Sequence, residues 1–546
     1  MTVTTGWVKP ARQTKGLDPL GSQAPGILLY SHLLPGITNV TDRARYYTFY
    51  PWLIWALHED GCTAGDQFVD LFRRGDCLFT LIAHRHLDVV GDGSDDHAVG
   101  LIGSNNLRSS INSLRDDEPV ALSLVASMEG SERYFKNRLG GLGQYYFGPL
   151  RDLGILNGTG PAGVQCDVDV GVRFATAMDS AVDRSLFLKT LKRDEVRCRD
   201  LDPLACFCPC QLPSSSQEQA LLADILANRG ILEDPGHHDR RLTVRLVLHL
   251  AEALAAQGQV LDELTFRGIV YSGMLQDGTL LDLEDELDLQ RRRWGCYAGG
   301  DLASVACLGM FWSLLLSYEA KDPTVQSSEE IGHWFAYEAE ESTVLGDVAP
   351  GDVVVGDAAE SVAARMPPIS SWTGPRHELG IAYRIVGLSS GEESIESRTE
   401  VLQLSAELLL ALIARGPSRT DVRGVFPPGY SEQYPINLYS LHHRVESGWR
   451  DLTLRQLVSR VAAEWLVDNH VHVAMRKLAA QSEDTFRIRV GDHGYEVAQI
   501  SPAVMTSPRF RQLRRILLDT GVLEEAGGLA CVSKEFTWMQ DYDGSD

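Results

Sequence analysis

Four thiols crowd one short stretch of a chain that otherwise uses cysteine sparingly. Cys198, Cys206, Cys208 and Cys210 fall within Val196-Arg-Cys-Arg-Asp-Leu-Asp-Pro-Leu-Ala-Cys-Phe-Cys-Pro-Cys-Gln211. Zinc takes four thiolate or imidazole ligands converging tetrahedrally, so these four sulfurs form one candidate zinc set. The spacing is unusual. In an extended C-x-C-x-C segment, Cys206, Cys208 and Cys210 would point to one face about 6.5 Å apart, too wide for one ion unless the chain turns. Pro209 restricts Cys208 to extended or turn backbone. His237 and His238 are further nitrogen donors that only the fold could bring near. The competing role is that of buried structural thiols under a loop. No C-x-x-C opens a helix, which argues against a redox pair.

A second group of metal-binding side chains lies upstream: His84, His86, Asp92, Asp95, Asp96, His97 and Asn105. Hydrolytic metal sites use His and Asp, so this region is the alternative seat of a metal-dependent hydrolase or nuclease. As a solvated loop after a helix it would need no metal, because a helix C-terminus already favours cationic histidines. Other fragments carry less. Glu319-Ala-Lys321 resembles the E-x-K piece of restriction-type nuclease cores but sits in a helical pattern. Gly387-Leu-Ser-Ser-Gly391 matches a nucleophile elbow centred on Ser389, yet the acidic run after it does not suit a helix packed behind a nucleophile. His470 and His472, two residues apart on a helix, do not share a face. The chain has no phosphate-binding G-x-x-x-x-G-K-[ST] and no H-E-x-x-H.

Basic side chains gather in two places. Arg511, Arg514 and Arg515 lie on one side of a helix expected over 509–518, with Phe510, Leu513 and Leu517 on another. Arg133, Lys136, Arg138 and Arg151 cluster earlier. Such donors suit phosphates and base edges in a DNA groove, which makes Arg511, Arg514, Arg515, Arg133, Lys136 and Arg138 the candidate nucleic-acid contacts. Arginines paired to nearby carboxylates are the alternative. Both clusters sit in similar layouts. Around the first, helices over 132–139 and 144–153 precede strands at 155–156 and 164–172. Around the second, the helix over 509–518 precedes strands at 522–524 and 529–532. Helix, turn, helix and hairpin resemble a winged helix-turn-helix module.

The elements that must position these residues are mostly helical. Three-to-four spacing of apolar residues predicts helices over 44–57, 64–88, 217–229, 241–257, 262–272, 302–320, 396–415 and 454–480. Pro51 should bend or split the first. Arg43 and Arg45, at its start, would brace an aromatic core. Residues 381–386 read as a strand, and the first 35 residues as an irregular, docked arm. The alternation needed for a large parallel sheet is missing, so the expected class is mainly α, multi-domain, with two small winged-helix-like modules. The expected divisions are 1–130 (helical), 131–215 (first module with the thiols), 216–345 (helical), 346–395 (acidic Gly/Pro-rich linker or loop) and 396–546 (helical, ending in the second module).

The 546 residues, 44% hydrophobic and 23% charged, suffice for several cores, and a net charge of −24 disfavours coating nucleic acid or anionic membrane. No signal peptide and no apolar run of membrane-spanning length is evident, which predicts a cytoplasmic protein with its ten cysteines reduced. The texture is similar to that of large helical proteins of bacterial anti-phage defence loci, without a diagnostic motif. The expected function is a non-catalytic interaction subunit partnered by other proteins and by DNA or RNA, with zinc as the candidate cofactor. The competing class is the metal-dependent hydrolase.

Overall fold

Leucine, alanine and aromatic side chains at helical spacing dominate the chain, and its backbone follows them. In the computed structural model 63% of the chain is helical and 6% is strand, which makes the class mainly α. The structure describes every residue except 1–11, 14–17, 130–133, 160–162, 230–234, 321–326, 342–347, 392, 418–421, 423, 482, 492–493 and 543–546. The chain divides into two units. One comprises residues 1–31 and 264–506, the other residues 32–263 and 507–546.

The unit of 1–31 and 264–506 is built on the helix Asp285–Glu319, buried along most of its length. It is long and apolar enough to cross a membrane, but 89% of its most apolar window is buried among the chain's own residues, as in the central helix of a water-soluble core. The helix Ile395–Arg415 lies against it so closely that a Cβ on Gly309 would fall 2.3 Å from the Ser405 hydroxyl. A buried ion pair, Arg267 to Asp301 at 2.9 Å, closes the same core, and Asp301 also accepts from the Thr506 amide and hydroxyl.

Residues 346–395 were expected to be a linker and are not one. They carry the helices Val355–Arg365 and Glu378–Ser389. Pro367, Pro368, Gly374 and Pro375 fall in the turns between these helices, and Ala358, Ala359 and Val362 supply a buried stripe. The strand expected over 381–386 lies inside the second helix. Leu379, Ile381, Ala382 and Ile385 are buried there at helical intervals, so tertiary packing overrides the β-branched composition. Ser389 is the last residue of that helix, not the tip of an elbow, and its hydroxyl accepts from the Ala503 amide. His470 is buried and capped on both nitrogens, by the Pro19 carbonyl and the Arg487 amide.

The unit of 32–263 and 507–546 has an aromatic centre. The helix Tyr46–Glu59 buries Tyr46, Phe49, Tyr50 and Trp52 against Phe72, Phe79, Tyr146, Phe187 and Phe207, with Phe49 and Phe79 stacked at 4.1 Å. This helix runs through Pro51 without splitting. The first 35 residues are not wholly irregular, since Ala24–Leu33 is helical.

Each expected module keeps its hairpin but not its pair of helices. Residues 134–139 form bends and turns where a helix was expected. A helix then spans 140–152, π-helical over Leu142–Tyr146, and stops at Gly154 with φ +66°. Leu156–Asn157 pairs with Gln165–Cys166, but 170–179 is helix rather than strand. Near the C-terminus the helix Phe510–Asp519 leads through Gly521 into the antiparallel pair Leu523–Ala526 and Leu529–Val532. Among the described residues, a single helix precedes each hairpin, so neither module shows a helix-turn-helix.

Candidate metal centre

The thiol segment turns, and that changes which donors meet. Asp202–Phe207 and Pro209–Ser214 are consecutive 3₁₀ helices, broken at Cys208, whose φ of −59° and ψ of 138° are the extended backbone Pro209 demands of its predecessor. The break carries the Cys208 and Cys210 sulfurs to one point.

His86 reaches that point from near the C-terminal end of the helix Gly65–Val90, which ends at Gly91 in the left-handed region. His97 reaches it from the following loop. The four donor atoms of His86, His97, Cys208 and Cys210 all lie within 4.8 Å of one another. Cys208 Sγ is 3.4 Å from His97 Nδ1, Cys210 Sγ is 3.4 Å from His86 Nδ1, and the two Nδ1 atoms are 3.2 Å apart. A tetrahedron drawn with zinc–sulfur bonds of about 2.3 Å and zinc–nitrogen bonds of about 2.05 Å has S···N edges of about 3.6 Å and N···N edges of about 3.3 Å. The three observed distances are close to those edges, and the four donor atoms lie near enough together to surround one ion.

The surroundings orient the donors. Asp92 Oδ2 lies 3.4 Å from His97 Nε2, the carboxylate partner that leaves Nδ1 free as ligand. Gln211 Nε2 donates to Cys210 Sγ at 3.3 Å. Arg45 donates to the Cys208 carbonyl at 2.5 Å and pairs with Glu218 at 3.0 Å, both side chains fully buried. Arg43, equally buried, donates to the carbonyls of Asp95, Asp96 and Val99 around His97 and pairs with Asp519 at 2.9 Å. These arginines brace the segments that carry His97 and Cys208.

Electrostatics favour a ligand-ready sulfur. A hydrogen bond from the Cys208 thiol, opposed by burial and helped by Gln211 and the two imidazoles, brings the Cys210 pKa down to about 5. The Cys208 thiol is correspondingly pushed far up, first by sharing its proton with Cys210 and then by burial. Thiolate is the metal-binding form of cysteine. His97 and Cys208 are buried, while His86 and Cys210 are half-buried. A groove of about 980 Å³, with Asp96, Arg515 and the C-terminal hairpin on its walls, reaches Cys210.

Two of the four cysteines expected as ligands, Cys208 and Cys210, therefore meet each other and two histidines. Cys198 is buried and donates to the Leu114 carbonyl at 3.0 Å, and Cys206 is half-buried in the preceding 3₁₀ turn; neither belongs to the donor group. His237 takes part in a contact with Arg240, and His238 in one with Arg241. From the upstream region only His86 and His97 join, with Asp92 behind. His84 is held by Ser104 at 3.0 Å and its pKa is lowered to about 4, chiefly by burial.

The arginines behave differently from a free phosphate-binding patch. Arg514 pairs with Glu525, and Arg515 pairs with Asp519 at 3.6 Å and donates to the Asp95 carbonyl. Arg511 is largely exposed, 3.8 Å from Asp42. Lys136 and Arg138 are exposed in the turns before residue 140, and Arg133 lies outside the described residues. No protein-family profile, curated protein or solved structure matches the chain.

Proposed function

We propose that this chain is a zinc-binding, non-catalytic interaction subunit whose metal fixes the architecture of the unit formed by 32–263 and 507–546. The observation that carries the reading is the set of donor edges, 3.2 to 3.4 Å, which match a tetrahedral Cys2His2 site. Four protein donors fill zinc's preferred coordination and leave no position for water or substrate, the arrangement of structural rather than catalytic zinc. Mixed thiolate and imidazole ligands select zinc over magnesium or calcium, which take oxygen. The setting fits a cytoplasmic protein that docks to other proteins, with DNA or RNA as a further partner through the arginine-bearing C-terminal helix.

Metal analysis of protein purified without chelator tests this. One zinc per chain, lost in the Cys208→Ser, Cys210→Ser double variant and kept in Cys198→Ser, is the expected result. A metal-free preparation that takes up no zinc on titration refutes it. One observation favours a second reading, a metal-dependent hydrolase: the groove beside Cys210 gives a substrate access to one ligand. Zinc-dependent cleavage of DNA or RNA, abolished in His97→Ala, would establish that reading instead.

A further inference from the structure

The backbone around His97 is held by a buried arginine. Arg43 takes the carbonyls of Asp95 and Val99 at 3.0 Å each and that of Asp96 at 2.6 Å. The same guanidinium binds Asp519 at 2.9 Å, and Asp519 also accepts from the Ala44 amide at 3.0 Å. Asp519 is the last residue of the helix Phe510–Asp519, so one buried ion pair joins the histidine loop to the C-terminal segment. Arg515 of that helix repeats the link on the surface, with a bond to the Asp95 carbonyl and a 3.9 Å contact to Asp96. Beyond the helix, Gln219 donates to the Thr520 carbonyl at 2.8 Å. Gln219 lies in the helix Ser216–Ala227, which also supplies Glu218, the partner of the arginine that holds Cys208. Both halves of the metal set, histidine loop and thiol turn, are thereby tied to the C-terminal helix.

Without the ion, the loop meets the thiol turn only through weak S···N contacts of 3.4 Å. A bound zinc ion would fix the loop through His97, and hence the carbonyls that position Arg43 for Asp519, and would tie the helix Gly65–Val90 to the same point through His86. An Arg43 left without those carbonyls would be a buried charge short of its acceptors, a cost that falls on the buried arrangement in which it holds Asp519.

We infer that zinc occupancy of the His86–His97–Cys208–Cys210 site acts as a latch on the C-terminal helix and hairpin, docking residues 510–532 when loaded and releasing them when stripped. This rests on the zinc reading above. Release has a chemical consequence. Phe510, Leu513, Ile516 and Leu517 would lose their cover, and Arg515 its contact with Asp96. The loaded form thus sequesters the helix that the stripped form offers to a partner.

Hydrogen–deuterium exchange of the full chain, loaded with zinc and then stripped by a chelator, tests the latch, with zinc content measured on each sample. Stripping should speed exchange in peptides covering 510–532 by about tenfold or more, within the range usual for coupled sites. The helix Arg184–Leu191 should change much less. In Asp519→Asn, zinc content should stay at one per chain while 510–532 exchanges fast with or without metal. Arg515→Gln, a milder variant, should shrink the zinc effect. Zinc bound with no change at 510–532 overturns the latch and leaves the site intact. So does equal acceleration throughout 32–263, which would make the metal a general folding element. A protein that takes up no zinc overturns the site itself.

Discussion

Metal removal should destabilise one unit by an amount the site's placement sets. All four donors lie in the unit of 32–263 and 507–546, so zinc bound only to the folded form stabilises that unit by RT ln(1 + [Zn]/Kd). At free zinc a thousand times Kd this is about 4.1 kcal/mol. A unit of this size shifts its melting temperature by about 2–4 °C per kcal/mol, giving a rise of about 8–16 °C on loading. Each tenfold drop in buffered free zinc should remove about 1.4 kcal/mol, or about 3–6 °C, until the curve flattens below Kd. The assay is a thermal scan in a series of metal buffers, read by a probe within 32–263 such as fluorescence of a retained Trp52 with other tryptophans replaced. The Cys208→Ser, Cys210→Ser double variant should melt at the metal-free temperature whatever the zinc. A melting temperature that moves less than about 1 °C across the series would show that the clustered donors do not bind zinc in the folded state.

Three further outcomes follow from particular side chains. Asp92→Asn should weaken zinc binding about tenfold, the usual effect of removing a carboxylate behind a ligating histidine, as read by competition with a chromophoric chelator. Arg45→Met leaves Glu218 buried without its guanidinium and should cost about 3–5 kcal/mol in denaturant unfolding, whereas Arg511→Ala, at an exposed position, should cost under about 0.5 kcal/mol. Asp76, fully buried and accepting from the Gly141 amide and Tyr50 hydroxyl, has its pKa raised to about 7, chiefly by burial. The folded chain then holds this proton between about pH 4 and 7 while the unfolded chain releases it. Stability should therefore fall across that window, by up to about 4 kcal/mol from this group, and urea titrations of Asp76→Asn should show a flatter profile there.

The helices were legible because apolar spacing is a local signal. The expected helix over 396–415 matches Ile395–Arg415, and that over 454–480 matches a continuous run from Leu454 to Gln481. Where the reading failed, a non-local contact outweighed composition. Ile381 to Val386 looks like a strand, yet burial at 379, 381, 382 and 385 makes it a helix. The metal centre shows the same boundary more sharply. The thiols were visible as a group, and so were the upstream histidines, but as rivals rather than as one set. Pro209 gave the local clue that the C-x-C stretch turns. What sequence spacing could not supply is the closure between His97 and Cys208, which are 111 residues apart. That closure depends on Arg43 and Arg45, two buried cations two residues apart that each grip one half of the site and carry a carboxylate from elsewhere in the chain. Buried arginines at the mouth of an aromatic helix read as core bracing in a sequence. Their carbonyl acceptors beside two separate clusters of soft donors are what turn them into the frame of a metal site.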